Sequence, residues 1–275
     1  MAHPPASASS TSASFKLRLV SALAMAPIAL VMAWLGGWAL AAFVAGAAVL
    51  ASLEWSRLTI SDWQTPGAAI MIAVMLAAIF VAALAAFDWA LGLVIAAATV
   101  IVLAGLVGRP LVWLGAGILY VGLPCLALLW LRALPSSGLE TLLWVLVLVW
   151  AVDVAAYFTG RAIGGPKLAP QISPSKTWAG LGGGVAAAAM VGLAAASLTG
   201  AKLLPLTVVS AGLAIVEQAG DLLESAVKRH FRVKDAGRLI PGHGGLMDRV
   251  DGLVTTLVAV AAITVATGGS PLAWR

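Results

Sequence analysis

Charge is almost missing from long stretches of this sequence, and that limits its folding options more than any other feature. Between residues 17 and 150 apolar runs follow one another with only isolated Asp, Glu, Lys or Arg side chains. Over all 275 residues 62% are hydrophobic and 10% are charged, against about 25% charged in a soluble domain. A chain this apolar cannot cover itself with polar surface, so lipid must face part of it. A spanning helix needs roughly 20 apolar residues. Candidate spans fall at 17–35, 37–56, 67–87, 89–107, 110–131, 139–160, 178–199, 203–227 and 250–268. The expected fold is all-α, a polytopic integral membrane protein of about nine transmembrane helices. Gly36-Gly37, Pro66, Pro110 and Pro135–Gly138 punctuate the connections.

Residues 1–14, rich in Ala, Ser and Pro, read as a disordered tail, and residues 15–275 as one transmembrane domain. Lys16 and Arg18 before an apolar run resemble a signal peptide. The run is long enough to span, and more spans follow directly, so it reads as a retained first helix. With the N-terminus in the cytoplasm and alternating sides, thirteen of the 16 Lys and Arg residues fall on the inner side. Arg132, Lys202 and Arg275 fall on the outer side. This is the positive-inside bias, and it accounts for the net charge of +5 without nucleic acid. The one cysteine, Cys125, lies in an apolar run and leaves no intrachain disulfide or Cys-based metal site.

Residues 15–149 read as a hydrophobic scaffold and 150–252 as the catalytic portion, followed by the last span at 250–268. Ionisable residues in a span cost about 2.5–3.5 kcal/mol on insertion scales, so those after residue 150 are functional candidates. Asp153, Tyr157 and Arg161 share one helix face; they fit either an ion pair or a site lining. Ile172-Ser173-Pro174-Ser175-Lys176-Thr177-Trp178 precedes a helix start, which suits a phosphate cradle or an ordinary helix cap. Gly182-Gly183-Gly184 lacks the Lys of a P-loop and suits close helix packing. In the eighth span Glu217, Asp221, Glu224 and Lys228 form one stripe with Ser225 beside it. Three carboxylates on an apolar helix need partners, and a hard divalent cation is a natural one. Then come Arg229, Arg232, Lys234, Asp235 and Arg238, followed by Pro241-Gly242-His243-Gly244-Gly245 and the pair Asp248 and Asp251. Acids for Mg2+, bases for phosphates and a Gly-rich loop are the parts of phosphoryl or nucleotidyl transfer. A basic loop on anionic lipid would explain the bases but not the acids or glycines. His243 fits a structural or a functional role equally.

From Ser225 to Asp251 the pattern Ser225-Ala-Val-Lys228-Arg229, Lys234-Asp235-Ala-Gly237, Ile240-Pro241-Gly-His243-Gly244-Gly245-Leu-Met-Asp248-Arg249-Val-Asp251 resembles the signature of the phosphatidate cytidylyltransferases. Gly220-Asp221, the 173–178 loop and the Asp153/Tyr157/Arg161 segment are similar to that family too. The likeness covers about residues 150–252; Ala236 stands where many relatives have Ser.

The resemblance implies an all-helical membrane fold with a cytosol-facing polar cavity, a homodimer in many members, and a metal centre near Asp221 and Asp248. That centre would hold Mg2+, with K+ as a candidate second ion. The implied substrates are CTP and phosphatidic acid, and the implied products CDP-diacylglycerol and pyrophosphate. On this reading Asp221, Asp248, Lys228, His243 and Asp251 are the catalytic group. Ser173, Ser175, Lys176, Thr177, Ser225, Arg229, Lys234, Asp235, Gly244, Gly245, Arg249, Asp153 and Tyr157 bind substrate. The expected location is the inner or plasma membrane with the site facing the cytoplasm. Two other classes fit the same residues: a CTP-dependent lipid kinase of the dolichol or phytol type, and an ion-coupled transporter.

Overall fold

Long apolar runs separated by glycine and proline become long helices in the computed structural model, which describes residues 26–60, 66–105, 110–237 and 244–275. The helices are α1 (Ala26–Leu35), α2 (Gly37–Ile60), α3 (Pro66–Ala83), α4 (Phe87–Gly105), α5 (Pro110–Arg132), α6 (Gly138–Ile163), α7 (Trp178–Thr199), α8 (Leu203–His230) and α9 (Met247–Thr267). Helices α2 to α9 are each long and apolar enough to cross a membrane, so the chain is an all-α polytopic membrane protein. The first expected span, 17–35, lies partly outside the described residues; its described part is α1. The other eight expected spans coincide with α2 to α9. Helix α2 runs on past residue 56 through the exposed Arg57, and α9 begins before residue 250, where Asp248 is bonded to Lys228 and two backbone amides.

Pro66 and Pro110 open α3 and α5, where a missing N–H costs nothing. Between α1 and α2 the chain turns at Gly36 and Gly37, both at positive φ. Arg132, at the end of α5, closes that turn by donating from Nε to Ala33 O (2.6 Å) and from Nη2 to Trp34 O (3.0 Å). The small residues of α7 let it lie close to both neighbours, α6 and α8. Gly180, Gly184, Ala188, Gly192 and Ala196 recur every four residues and are buried. A Cβ at Gly180 would stand 2.9 Å from Ala156 O on α6, and one at Gly192 would stand 2.9 Å from Leu206 O on α8. Helices α2 to α5 pack among themselves, α6 to α9 likewise, and α5 joins the two groups through α6 and α9. Large apolar side chains such as Phe80, Trp89 and Val265 stand exposed on outer faces, as they do against lipid.

The two ends of the bundle differ. At one end lie Arg132, the Thr141–Ser270 hydroxyl pair, and Arg275, which donates to Thr199 O. The other end gathers the polar residues of α8 and α9 and the only strands among the described residues. These are β1 (Lys167–Ala169) and β2 (Ser173–Thr177), an antiparallel pair. Neither strand was expected from the sequence. Helix α8, with 28 residues, is about 42 Å long at 1.5 Å per residue.

Candidate active site

The stripe on α8 is where the acids and bases meet. Glu217, Glu224 and Lys228 are buried and Asp221 is partly open. Lys228 Nζ donates to Glu224 Oε1 (3.1 Å), one turn back, and to Asp248 Oδ1 (2.6 Å) on α9. Asp248 Oδ2 accepts the backbone N–H groups of Gly245 (2.9 Å) and Ala236 (3.0 Å). One carboxylate therefore ties the start of α9 to α8 and to the segment after α8. Helices α8 and α9 come close here because both present glycine: a Cβ at Gly220 would stand 2.9 Å from Asp251 O, and one at Gly252 would strike Glu217.

A second lysine enters from the β-hairpin. Lys176 Nζ pairs with Asp221 Oδ2 (2.5 Å) and donates to Gln218 Oε1 (2.8 Å). Gln218 passes the contact on through Nε2 to Glu217 Oε2 (2.8 Å), and Ser225 Oγ donates to Asp221 Oδ1 (3.3 Å). Asp153 on α6 meets Glu217 side chain to side chain. Asp251 lies within electrostatic reach of Asp221, Glu224 and Asp153, and its own Oδ1 accepts Gly252 N–H (2.9 Å). Thr177 is buried, and its Oγ1 accepts Gly180 N–H (3.0 Å), capping α7; this is the ordinary cap the sequence left open, and it aims the hairpin. The structure thus brings together Asp153, Lys176, Asp221, Ser225, Lys228, Asp248 and Asp251.

The other expected residues surround this cluster or stand apart. Arg229 is exposed and bridges the loops, donating to Ile172 O (3.4 Å) and Val233 O (3.2 Å). Ser175, Lys234, Asp235 and Arg249 are exposed and Ser173 is half-buried. Gly244 has φ +84°, and a Cβ there would lie 2.9 Å from Asp248 Oδ2. Arg161 donates to Tyr157 OH (3.0 Å), so these two pair with each other while Asp153 turns toward α8. His243 and Arg238 lie outside the described residues.

The donor chemistry suits a hard cation, since every acid here offers oxygen. Among the described residues no three Asp, Glu, His or Cys side chains stand together at metal-ligand spacing. Mg2+ does not require that: it is commonly held by one or two carboxylates with water and substrate phosphates completing the shell. Asp221, the more open of the two expected ligands, has side-chain exposure of 26% against 9% for Asp248.

Three contributors were missed from the sequence, and all but one come from the segment read as scaffold. Tyr120 on α5 donates to Glu224 Oε2 (3.2 Å) and stacks on Trp55 of α2 at 5.1 Å between ring centroids. Glu54 on α2 has no exposed surface and accepts backbone N–H groups from Leu246 and Met247. Gln218 is the third. A lone Glu inside an apolar run was the available signal for Glu54.

Compared with known proteins, residues 16–267 match the cytidylyltransferase family. A phosphatidate cytidylyltransferase of Brucella suis is 40% identical over 247 residues, covering 86% of this chain and 88% of that protein. One of Pseudomonas aeruginosa is 38% identical over 277 residues, covering 93% and 99%. One of Bacillus subtilis is 39% identical over 136 residues, about half of each chain (48% and 50%).

Proposed function

This chain belongs to the cytidylyltransferase family, and from that premise we propose that it is a phosphatidate cytidylyltransferase, moving CMP from CTP to phosphatidic acid and releasing pyrophosphate. The observation that carries the reading is the pair of lysines, Lys176 and Lys228, each set against a carboxylate of a different element at the end of an apolar helix. Cations there attract phosphates, and the acids keep the lysines in place when phosphates are absent. Such a site can receive a nucleotide from water and a headgroup from the bilayer.

Arg229, Lys234 and Arg249, exposed around the cluster, suit the triphosphate, since arginine binds phosphate oxygens two at a time. Ser173 and Ser175 on the hairpin strand line the approach from the other side. Asp221 and Asp248 would hold Mg2+, with K+ as a second ion, and the metal would offset charge on the transferring phosphoryl group. Asp153, Tyr157, Ser225, Asp235, Gly244, Gly245 and Asp251 shape or polarise the surroundings. The attacking phosphatidate oxygen is already anionic, so it needs positioning and charge neutralisation more than a base. Direct displacement follows, with His243 binding or shaping the loop rather than attacking. The site faces the cytoplasm on this reading, and a homodimer is the working assembly.

The deciding experiment incubates the purified protein with CTP, Mg2+ and phosphatidate and weighs the products. A lipid heavier by a CMP group, with pyrophosphate in equal amount, is expected. A lipid heavier by one phosphate, with CDP released, would make the chain a lipid kinase. Ion flux in liposomes without CTP turnover would make it a transporter.

A further inference from the structure

The C-terminal part of α2 is unusually polar for a helix in a scaffold: Ser52, Glu54 and Ser56 are all fully buried. Of these, Glu54 has a defined task. Its Oε1 accepts Leu246 N–H (2.8 Å) and its Oε2 accepts Met247 N–H (2.9 Å). These are donors at the start of α9 that a helix cannot satisfy from within, and they lie 192 and 193 residues from Glu54 in sequence. Glycine makes the approach possible from two sides. A Cβ at Gly245 would stand 2.6 Å from Glu54 Oε2, and one at Gly237 would stand 2.7 Å from Oε1. The chain before and after residues 238–243 is therefore pressed against the same carboxylate.

The neighbouring contacts close a ring. Beside Glu54, Trp55 donates from Nε1 to Trp113 O (2.8 Å) and stacks on Tyr120. Tyr120 reaches Glu224, Glu224 reaches Lys228, and Lys228 reaches Asp248. Asp248 returns through Gly245 N–H to the segment that Glu54 holds. Four helices, α2, α5, α8 and α9, meet in this circuit.

We propose that Glu54 is a positioning residue for the Lys228–Asp248 pair, its carboxylate fixing the N-terminus of α9 so that Asp248 meets Lys228 at the reacting site. Glu54 is sealed from solvent and touches no substrate. Its effect passes through Asp248. The exposed Arg229 is held separately, by its bonds to Ile172 O and Val233 O.

The test is Glu54→Gln, which keeps the size but sets an amide donor against a backbone N–H, so one of the two bonds is lost. Backbone hydrogen exchange is read in detergent alongside steady-state kinetics. Amides of residues 245–248 should exchange at least about tenfold faster. The kcat should fall at least about tenfold, with KM for CTP within about threefold. Gly245→Ala, which crowds the carboxylate without removing its charge, should reproduce that signature. Lys202→Ala, at the opposite end of the bundle, should change neither reading. Unchanged exchange at 245–248 in Glu54→Gln, or a raised KM with kcat intact, overturns the proposal. The kinetic half rests on the proposed reaction and the exchange half does not. A wild-type protein that makes no CDP-lipid would therefore sink the reaction while leaving the exchange result to decide the role of Glu54.

Discussion

Asp221 and Asp248 each face a lysine, but they are set into the molecule differently. Asp248 spends one oxygen on Lys228 and the other on two backbone amides, so it supports local structure as well as charge. Asp221 is held by Lys176 and Ser225 and is partly open. The two Asn variants should therefore separate stability from chemistry. Asp248→Asn removes one of the two carboxylates that Lys228 meets, leaving Glu224, and weakens the bonds to two backbone amides at a nearly dry site, which costs about 2–3 kcal/mol. Asp221→Asn breaks a more exposed pair, worth about 1 kcal/mol or less. Both should lower turnover by roughly 100-fold or more, the effect of losing about 2.7 kcal/mol of charge stabilisation. Thermal unfolding in detergent and a product assay on the same preparations check this. Equal stability losses in the two variants would contradict the different settings.

Among the elements, α7 shows how little side chain a membrane helix needs. Gly192→Ala would push a methyl group into Ser210 and toward Leu206 O, whereas Gly182 has nothing within 4 Å of a Cβ. Gly192→Ala should lower stability by about 1–3 kcal/mol. Gly182→Ala should be neutral or raise it by up to about 1 kcal/mol. Thermal unfolding of the two variants, side by side, measures the contrast. The sequence predicts this role for the glycine run, and the structure adds that Gly183 and Gly184 face α6 while Gly182 does not. The α8 stripe was equally legible, because a helical repeat places its members without knowledge of any other element. Glu54 was not legible as part of the site. Its partners are backbone amides far along the chain, and no local pattern announces a contact of that kind. The hairpin was missed for a related reason: three-residue and five-residue strands with proline in and around them carry too little alternation to read.

At the level of the whole molecule, the alternation of helices puts the hairpin and the α8–α9 connection at one end and Arg132, Lys202 and Arg275 at the other. In a Cys125→Ala background, single cysteines at Lys167, Lys234 and Lys202 report the sides. An impermeant reagent added outside intact cells should label the Lys202→Cys protein and spare the other two. Labelling at position 167 or 234 would reverse the proposed orientation. The length of α8 has a further consequence. The helix is about 42 Å long and a hydrocarbon core is about 30 Å thick, so it has length to spare for a crossing, and its charged residues all lie in the half toward His230. A reaction centre at this height meets its lipid in the plane of the bilayer, not in solution. The concentration that governs encounter is then a mole fraction: adding inert lipid to the same membrane thins the supply of headgroups, while diluting the vesicles in buffer leaves it unchanged.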